Sequence, residues 1–349
     1  MPDGRRTARG EARTRAPEDA PEESRPIAQD EAQATTTGDI QAPLTAAEAT
    51  PPVEIPAEVK TATMSQWQLS WRRFKRHKLA LISAVILVVI GLLTLFVNLI
   101  SPFGYSELDL EAIRHGPGLQ HWFGTDVLGR DEFTRVMYGG RVSLLVAVSV
   151  AVSSTIIGTA IGAVSGYYGG WLDNLLMRIT DLFLSIPLLV VLIIAGTALG
   201  GVVPTPWDIV LTLAIFFWMP LARIVRGLFL SLKEKEFVEA ARSMGASNKR
   251  IIFYHIVPNA MGPIIVTATL AVAAAILNES VLSFLGFGIQ PPKPSWGNLL
   301  AESRNLITAA PWLLWFPGLM ILLTVLCVNF LGDGLRDALD PHQQLKGAV

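Results

Sequence analysis

A single cysteine and a small share of charged side chains set the first limits on this 349-residue chain. Cys327 alone cannot form an intrachain disulfide framework or a cysteine-built metal centre, and in its apolar run it reads as a small core residue. Asp, Glu, Lys and Arg make up 16% of the chain, against about 25% in soluble domains. The net charge is −1, so no global field points to nucleic acid as a partner. Gly-x-x-x-x-Gly-Lys followed by Ser or Thr occurs nowhere, and the one lysine beside a glycine is Lys346, so nothing here would cradle nucleotide phosphates. His115 and His121 lie near acids but at no recognised ligand spacing, so no metal site is expected.

Aromatics are absent before Trp67, and residues 1–65 are rich in Ala, Pro, Glu, Thr and Arg. Such a segment cannot bury enough apolar surface to offset its ordering entropy, so it is expected to be a disordered tail. Without an apolar stretch it does not read as a secretory signal.

What the chain has in quantity is apolar sequence, 51% of residues with mean hydropathy +0.45. Residues 79–106, 142–172, 182–207, 209–222, 251–278 and 305–332 carry no charge. A spanning helix needs roughly 20 apolar residues. Five runs suffice outright, and 209–222 extends past Arg223, whose long side chain can reach the interface. The expectation is an all-α membrane protein with six transmembrane helices. Gly158, Gly162 and Gly166 recur at four-residue spacing, which suits close helix packing in lipid. Pro187 and Pro220 mark kinks.

Lys and Arg set the orientation. Arg72, Arg73, Lys75, Arg76 and Lys78 precede the first run, and residues 223–250 hold Arg223, Arg226, Lys233, Lys235, Arg242, Lys249 and Arg250. Both termini are therefore expected in the cytoplasm. Arg114, Arg130, Arg135 and Arg141 in the outer loop 101–141 run against this, but most of them sit among acids.

Between the fourth and fifth runs, Phe237 to Met244 are good helix formers and Gly245 is a natural C-terminal stop; Asn248 to Tyr254 resume a helix. Ala240 and Ala241 leave room for a second surface, and Glu239 can fix register through a salt bridge. On composition alone this is an amphipathic loop. Glu239-Ala240-Ala241, three residues, Gly245, then Pro258 thirteen residues later, closely resembles the EAA loop of ABC-type importer permeases. The usual Ile-x-Leu-Pro reads His255-Ile256-Val257-Pro258, a form similar to the peptide-importer branch.

Other strings carry the same resemblance. His121-Trp122-Phe123-Gly124-Thr125-Asp126-Val127-Leu128-Gly129-Arg130-Asp131 is similar to the segment entering the core of dipeptide/oligopeptide permeases of the C type. Read physically, Gly124 and Gly129 flank a tight turn in which Asp126, Arg130 and Asp131 form a salt-bridge cluster. Leu282 to Gly288 with Pro291, Pro292, Pro294 and Trp296-Gly297, and Leu331 to Asp337 with Leu339-Asp340-Pro341, also match that branch. Trp296, Trp312 and Trp315 are expected in an interfacial aromatic belt. Together the matches span about residues 70 to 342.

The resemblance implies a type I ABC importer permease fold. Residues 1–65 form a cytoplasmic tail, 66–140 the first transmembrane helix and outer loop, 141–334 a core of five helices with coupling loop 223–258, and 335–349 a C-terminal tail. It implies a plasma membrane permease subunit with no catalytic residue and no cofactor of its own. Glu239, Ala240, Ala241, Gly245 and Pro258 would meet one of two ATPase subunits, which hold ATP and Mg. A second permease subunit would complete a heterodimer in the lipid bilayer, and an extracytoplasmic solute-binding protein would deliver di- or oligopeptides, with nickel chelates or glutathione as alternative cargo. Glu279, beside Asn278 late in the fifth run, reads either as a translocation path or gate, or as a helix–helix hydrogen bond. A proton-coupled carrier needs several intramembrane carboxylates, and Glu279 is the one candidate; a scaffold would need no such lever loop.

Overall fold

The computed structural model describes residues 66–198 and 204–340. The tail 1–65, residues 199–203 of the third apolar run and residues 341–349 lie outside the described residues. The described residues fold as helices: α1 (Gln66–Phe74), α2 (Lys78–Leu95), α3 (Val97–Ile100), α4 (Glu132–Tyr168), α5 (Gly170–Leu184), α6 (Leu188–Ala198), α7 (Pro206–Leu232), α8 (Glu236–Ser243), α9 (Asn248–Arg250), a π-helical turn (Ile251–Ile256), α10 (Val257–Phe284), α11 (Trp296–Ser303) and α12 (Trp312–Leu339).

Five continuous helices among the described residues are long and apolar enough to cross a membrane: Lys78–Leu95, Glu132–Tyr168, Pro206–Leu232, Asn248–Phe284 and Trp312–Leu339. The described part of the third apolar run does not form a continuous helix of that length. The helix stops at Leu184 and restarts at Leu188 as α6, because the missing N–H of Pro187 and the extended bias it imposes on its predecessor break the ladder. The number of crossings is decided by packing. Gly158 faces Trp218 O, Gly162 faces Ala222 O, and Gly166 faces Arg226 O; a Cβ at any of the three would lie within 2.7 Å of those carbonyls. The partner number rises with the glycine number, so α4 and α7 run parallel. Parallel neighbours require the chain between them to return across, and α5 starts that return: Asp173 meets Arg226, Asp181 meets Arg223 and Phe183 meets Phe216, so α5 runs antiparallel to α7. That return adds a sixth crossing to the five long helices among the described residues.

Helix α10 runs antiparallel to both α4 and α12. Ser143 of α4 meets Glu279 of α10, whereas Tyr167 meets Asn248. Gly262 approaches Leu339, and Gly332 approaches Leu270. One end of the bundle therefore gathers α1, α8, the start of α10 and the close of α4, α7 and α12. The opposite end gathers α3, α11 and the loops 101–131 and 285–311. Helix α4 begins at Glu132, well before its uncharged run, because Asp131 caps it: its carboxylate accepts from Thr134 N at 2.8 Å and from Thr134 Oγ1 at 2.6 Å. Trp296 is no belt residue. It is fully buried in the main apolar cluster and donates Nε1–H to Val136 O at 3.0 Å, whereas Trp315 is exposed.

Candidate coupling site and the clasp at the opposite end

Helix α8 is amphipathic, and its two alanines divide the work. Val238 packs in one apolar cluster with Ile251, Ile252 and Ile256 of the π-turn, and Ala241 is buried; Ala240, Glu239, Phe237 and Met244 face outward. Only one of the pair is thus free for a second surface, since the other is buried. Gly245 ends the helix with φ +81. Ala246 N donates to Ala241 O at 3.0 Å and Gly245 N to Arg242 O at 2.9 Å, the two bonds of a Schellman motif. No atom lies within 4 Å of a Cβ built there, so the requirement for glycine is the left-handed backbone alone.

The helix resumes at Asn248 and passes through the π-turn before Pro258. Proline has no N–H for an i−4 bond and its ring crowds that carbonyl, so the preceding turn widens; Val257 N donates five residues back, to Ile252 O. The Asn259 amide covers His255 O at 2.7 Å. Two ion pairs brace the approach to α8 from α5. Arg226 donates to Asp173 from Nε at 2.5 Å and from Nη2 at 2.6 Å, and Arg223 pairs with Asp181. The Arg226 hydrogen bonds hold the Asp173 carboxyl below the usual range, helped by the Ser165 hydroxyl.

At the opposite end, Asp126 receives Arg130 Nε at 2.6 Å and also pairs with Arg135, and both arginines reach Glu302, at 3.2 and 2.7 Å. This clasp ties the 120s loop to α4 and α11. Asp131 does not join it. Besides capping α4, it meets His121 Nδ1 at 2.9 Å. Gly129 has φ +76, and a Cβ there would strike Asp109 O. Glu302 escaped sequence reasoning because it stands 172 residues from Arg130, with no local signal. Glu279 is fully buried; it accepts from Ser143 Oγ at 2.8 Å and Ser283 Oγ at 2.7 Å. Ser143 Oγ in turn accepts from Trp296 N at 3.2 Å, and Ser283 Oγ from Ile289 N at 3.2 Å. Glu279 is thus the hub that fastens α4, α10 and the 285–299 loop. Asn278, partly exposed, donates to Ala274 O at 2.8 Å.

The sequence model of the family "Binding-protein-dependent transport system inner membrane component" matches residues 158–344. This chain belongs to that family. A second model, the N-terminal TM domain of oligopeptide transport permease C, matches residues 65–117. The dipeptide transport system permease protein DppC of Alkalihalophilus pseudofirmus is 42% identical over 83% of this chain and 94% of its own length. The oligopeptide transport system permease protein OppC of Escherichia coli K12 is 45% identical over 80% and 92%. The glutathione transport system permease protein GsiD of Shigella flexneri is 43% identical over 85% and 95%. The permease core matched at 158–344 takes in the glycine stripe, α8, the π-turn and α12; the clasp residues Asp126, Arg130 and Arg135 lie between the two matched segments. The permease is a multi-pass inner membrane protein.

Proposed function

We propose that this permease is one half of the translocation pore of an ATP-driven importer and that its cargo is a di- or oligopeptide. The observation that carries the reading is α8: a short exposed helix, fastened to the root of α10 by Val238 and ended by Gly245, bearing the EAA pattern of the family. A cytosolic ATPase gripping Glu239, Ala240 and the exposed Phe237 and Met244 would move α8 and the π-turn before Pro258 as one body, and that displacement would reach α10. A second permease supplies the other half of the pore, a second ATPase docks on it, and a solute-binding protein delivers cargo at the α11 end. ATP and Mg act on the ATPase chains, and this subunit is non-catalytic.

The orientation follows from charge. The α8 end carries the two basic clusters and is assigned to the cytoplasm with both termini. Three arginines near the opposite end are spent internally: Arg130 and Arg135 on Asp126 and Glu302, and Arg141 on the carbonyls of Thr94 and Leu95. They therefore do not argue for a cytoplasmic face there. An outer gate would turn on Glu279 and Asn278, since opening that end requires the Glu279 hub to release the 285–299 loop.

Three relatives are named for dipeptide, oligopeptide and glutathione transport, and glutathione is itself a tripeptide. Reconstitution with partner permease, ATPases and binding protein tests the proposal. Peptide should stimulate ATP hydrolysis, and Glu239→Lys should uncouple it while the subunit still inserts. Stimulation by glutathione with no response to other peptides would narrow the cargo to that solute. Uptake by this chain alone on an ion gradient would overturn the reading.

A further inference from the structure

Helix α1 joins the bundle by one face only. Phe74 packs with Ala80 and Ala338, against Leu331 and Leu335, and Arg73 donates to Asp340 O at 3.2 Å. The chain then turns, His77 Nδ1 accepts from Ala80 N at 3.1 Å, and α2 enters its apolar span at Lys78. The outward face carries Trp71, 58% exposed, with Arg72, Lys75, Arg76 and Lys78, all exposed. Trp71 stacks on Phe74 at 5.8 Å, and Lys75 Nζ lies 5.3 Å from the Trp71 ring. No acidic residue occurs between Glu58 and Glu107. The α12 groups facing this turn are committed to its other side, Asp337 to His77 at 3.7 Å and the Asp340 carbonyl to Arg73. Arg72, Arg76 and Lys78 therefore present positive charge with no carboxylate of the described residues in ion-pair contact, at the level where the hydrocarbon span begins.

We propose that the outward face of α1 and the α1–α2 turn form a docking surface for the headgroups of anionic phospholipids. The charge is complementary to a phosphodiester with no compensating amine. Trp71 places an amphipathic ring at headgroup depth beside the cations, where such rings settle. The packing of Phe74 and Arg73 on α12 pre-forms the surface, so lipid held there also staples the first span to the last. An acidic stretch of residues 1–65 is the competing occupant, but it would not need the exposed tryptophan at the edge of the span.

The test uses the full chain, delipidated in neutral detergent and titrated with phosphatidylglycerol or phosphatidylcholine, with bound lipid counted by native mass spectrometry. Wild type should retain phosphatidylglycerol over phosphatidylcholine by about tenfold or more. Raising NaCl from about 50 to 500 mM should erode that preference, because screening shortens the reach of exposed charge. Arg72→Gln/Lys75→Gln/Arg76→Gln/Lys78→Gln should abolish it, whereas Lys249→Gln/Arg250→Gln, at the same end, should not. The milder Lys75→Gln/Arg76→Gln should halve it at least, which guards against misinsertion of the fourfold variant. Equal retention of the two lipids by wild type, a preference insensitive to salt, or unchanged retention in the twofold variant would each overturn the proposal. Preference appearing only after removal of residues 1–65 would assign the surface to the tail instead.

Discussion

Gly245 is required by one torsion angle, not by any neighbour. With φ +81 and open space around a built Cβ, substitution costs only the left-handed backbone, about 1 kcal/mol for alanine and more for a β-branched residue. Co-purification of the ATPase should fall in the order Gly, Asn, Ala, Val, with alanine about fivefold down at equilibrium. Equal capture of Gly245→Val would separate the turn from docking. Asp173 yields a second prediction, about pH. Its carboxyl titrates below the unfolded value of about 3.9, so its contribution is complete above that value and is lost as pH falls through the lower folded one. Amide exchange of α5, corrected for the intrinsic rate, should be flat from pH 8 to 5 and rise only below about 4. Asp173→Asn should exchange faster throughout and lose the acid step. Of the residues singled out from sequence, Gly245 was legible because its reason is local. Ala241 was not: its burial depends on where the chain comes back.

Among elements, the α4–α7 pair is the tightest, and its glycines act by steric absence. A Cβ at Gly162 would lie 2.5 Å from Ala222 O and 2.7 Å from Val225 Cβ, and helix backbones cannot yield locally. Gly162→Ala should lower stability by about 1–3 kcal/mol. Gly227→Ala, on the exposed side of α7 with nothing within 4 Å, should raise it by up to about 1 kcal/mol through helix propensity. Thermal unfolding of the two variants in one detergent should therefore shift in opposite directions; a fall in both would show that helix propensity is outweighed at Gly227. The stripe was readable as a packing surface, and its partner was not. That partner also decided the topology, since the parallel run of α4 and α7 demands a return across the bundle by the chain between them.

Across the whole molecule, the two ends are held by different chemistry. The α8 end is joined by apolar contact and the Arg226–Asp173 and Arg223–Asp181 pairs, and the opposite end by the Asp126–Arg130–Arg135–Glu302 clasp and the Glu279 hub. Arg135 is almost wholly buried, so Arg135→Met should cost about 3–5 kcal/mol by stranding Asp126 and Glu302 with Arg130 alone. Limited proteolysis of the loops 101–131 and 285–311 should accelerate together, because they share the clasp, while cleavage near α8 should not change.

The chain's membrane character, its apolar runs, the glycine stop and the absence of a nucleotide loop are properties of local sequence, fixed by composition, spacing and the conformational range of single residues. The tertiary structure alone decided that α4 and α7 run parallel, that Trp296 lies in the core, that Asp131 turns to His121, and that Glu302 closes a clasp from 172 residues away. Each of those depends on the meeting of distant segments. Steric fit and charge pairing select among such meetings only when the packed helices bring the groups within contact distance.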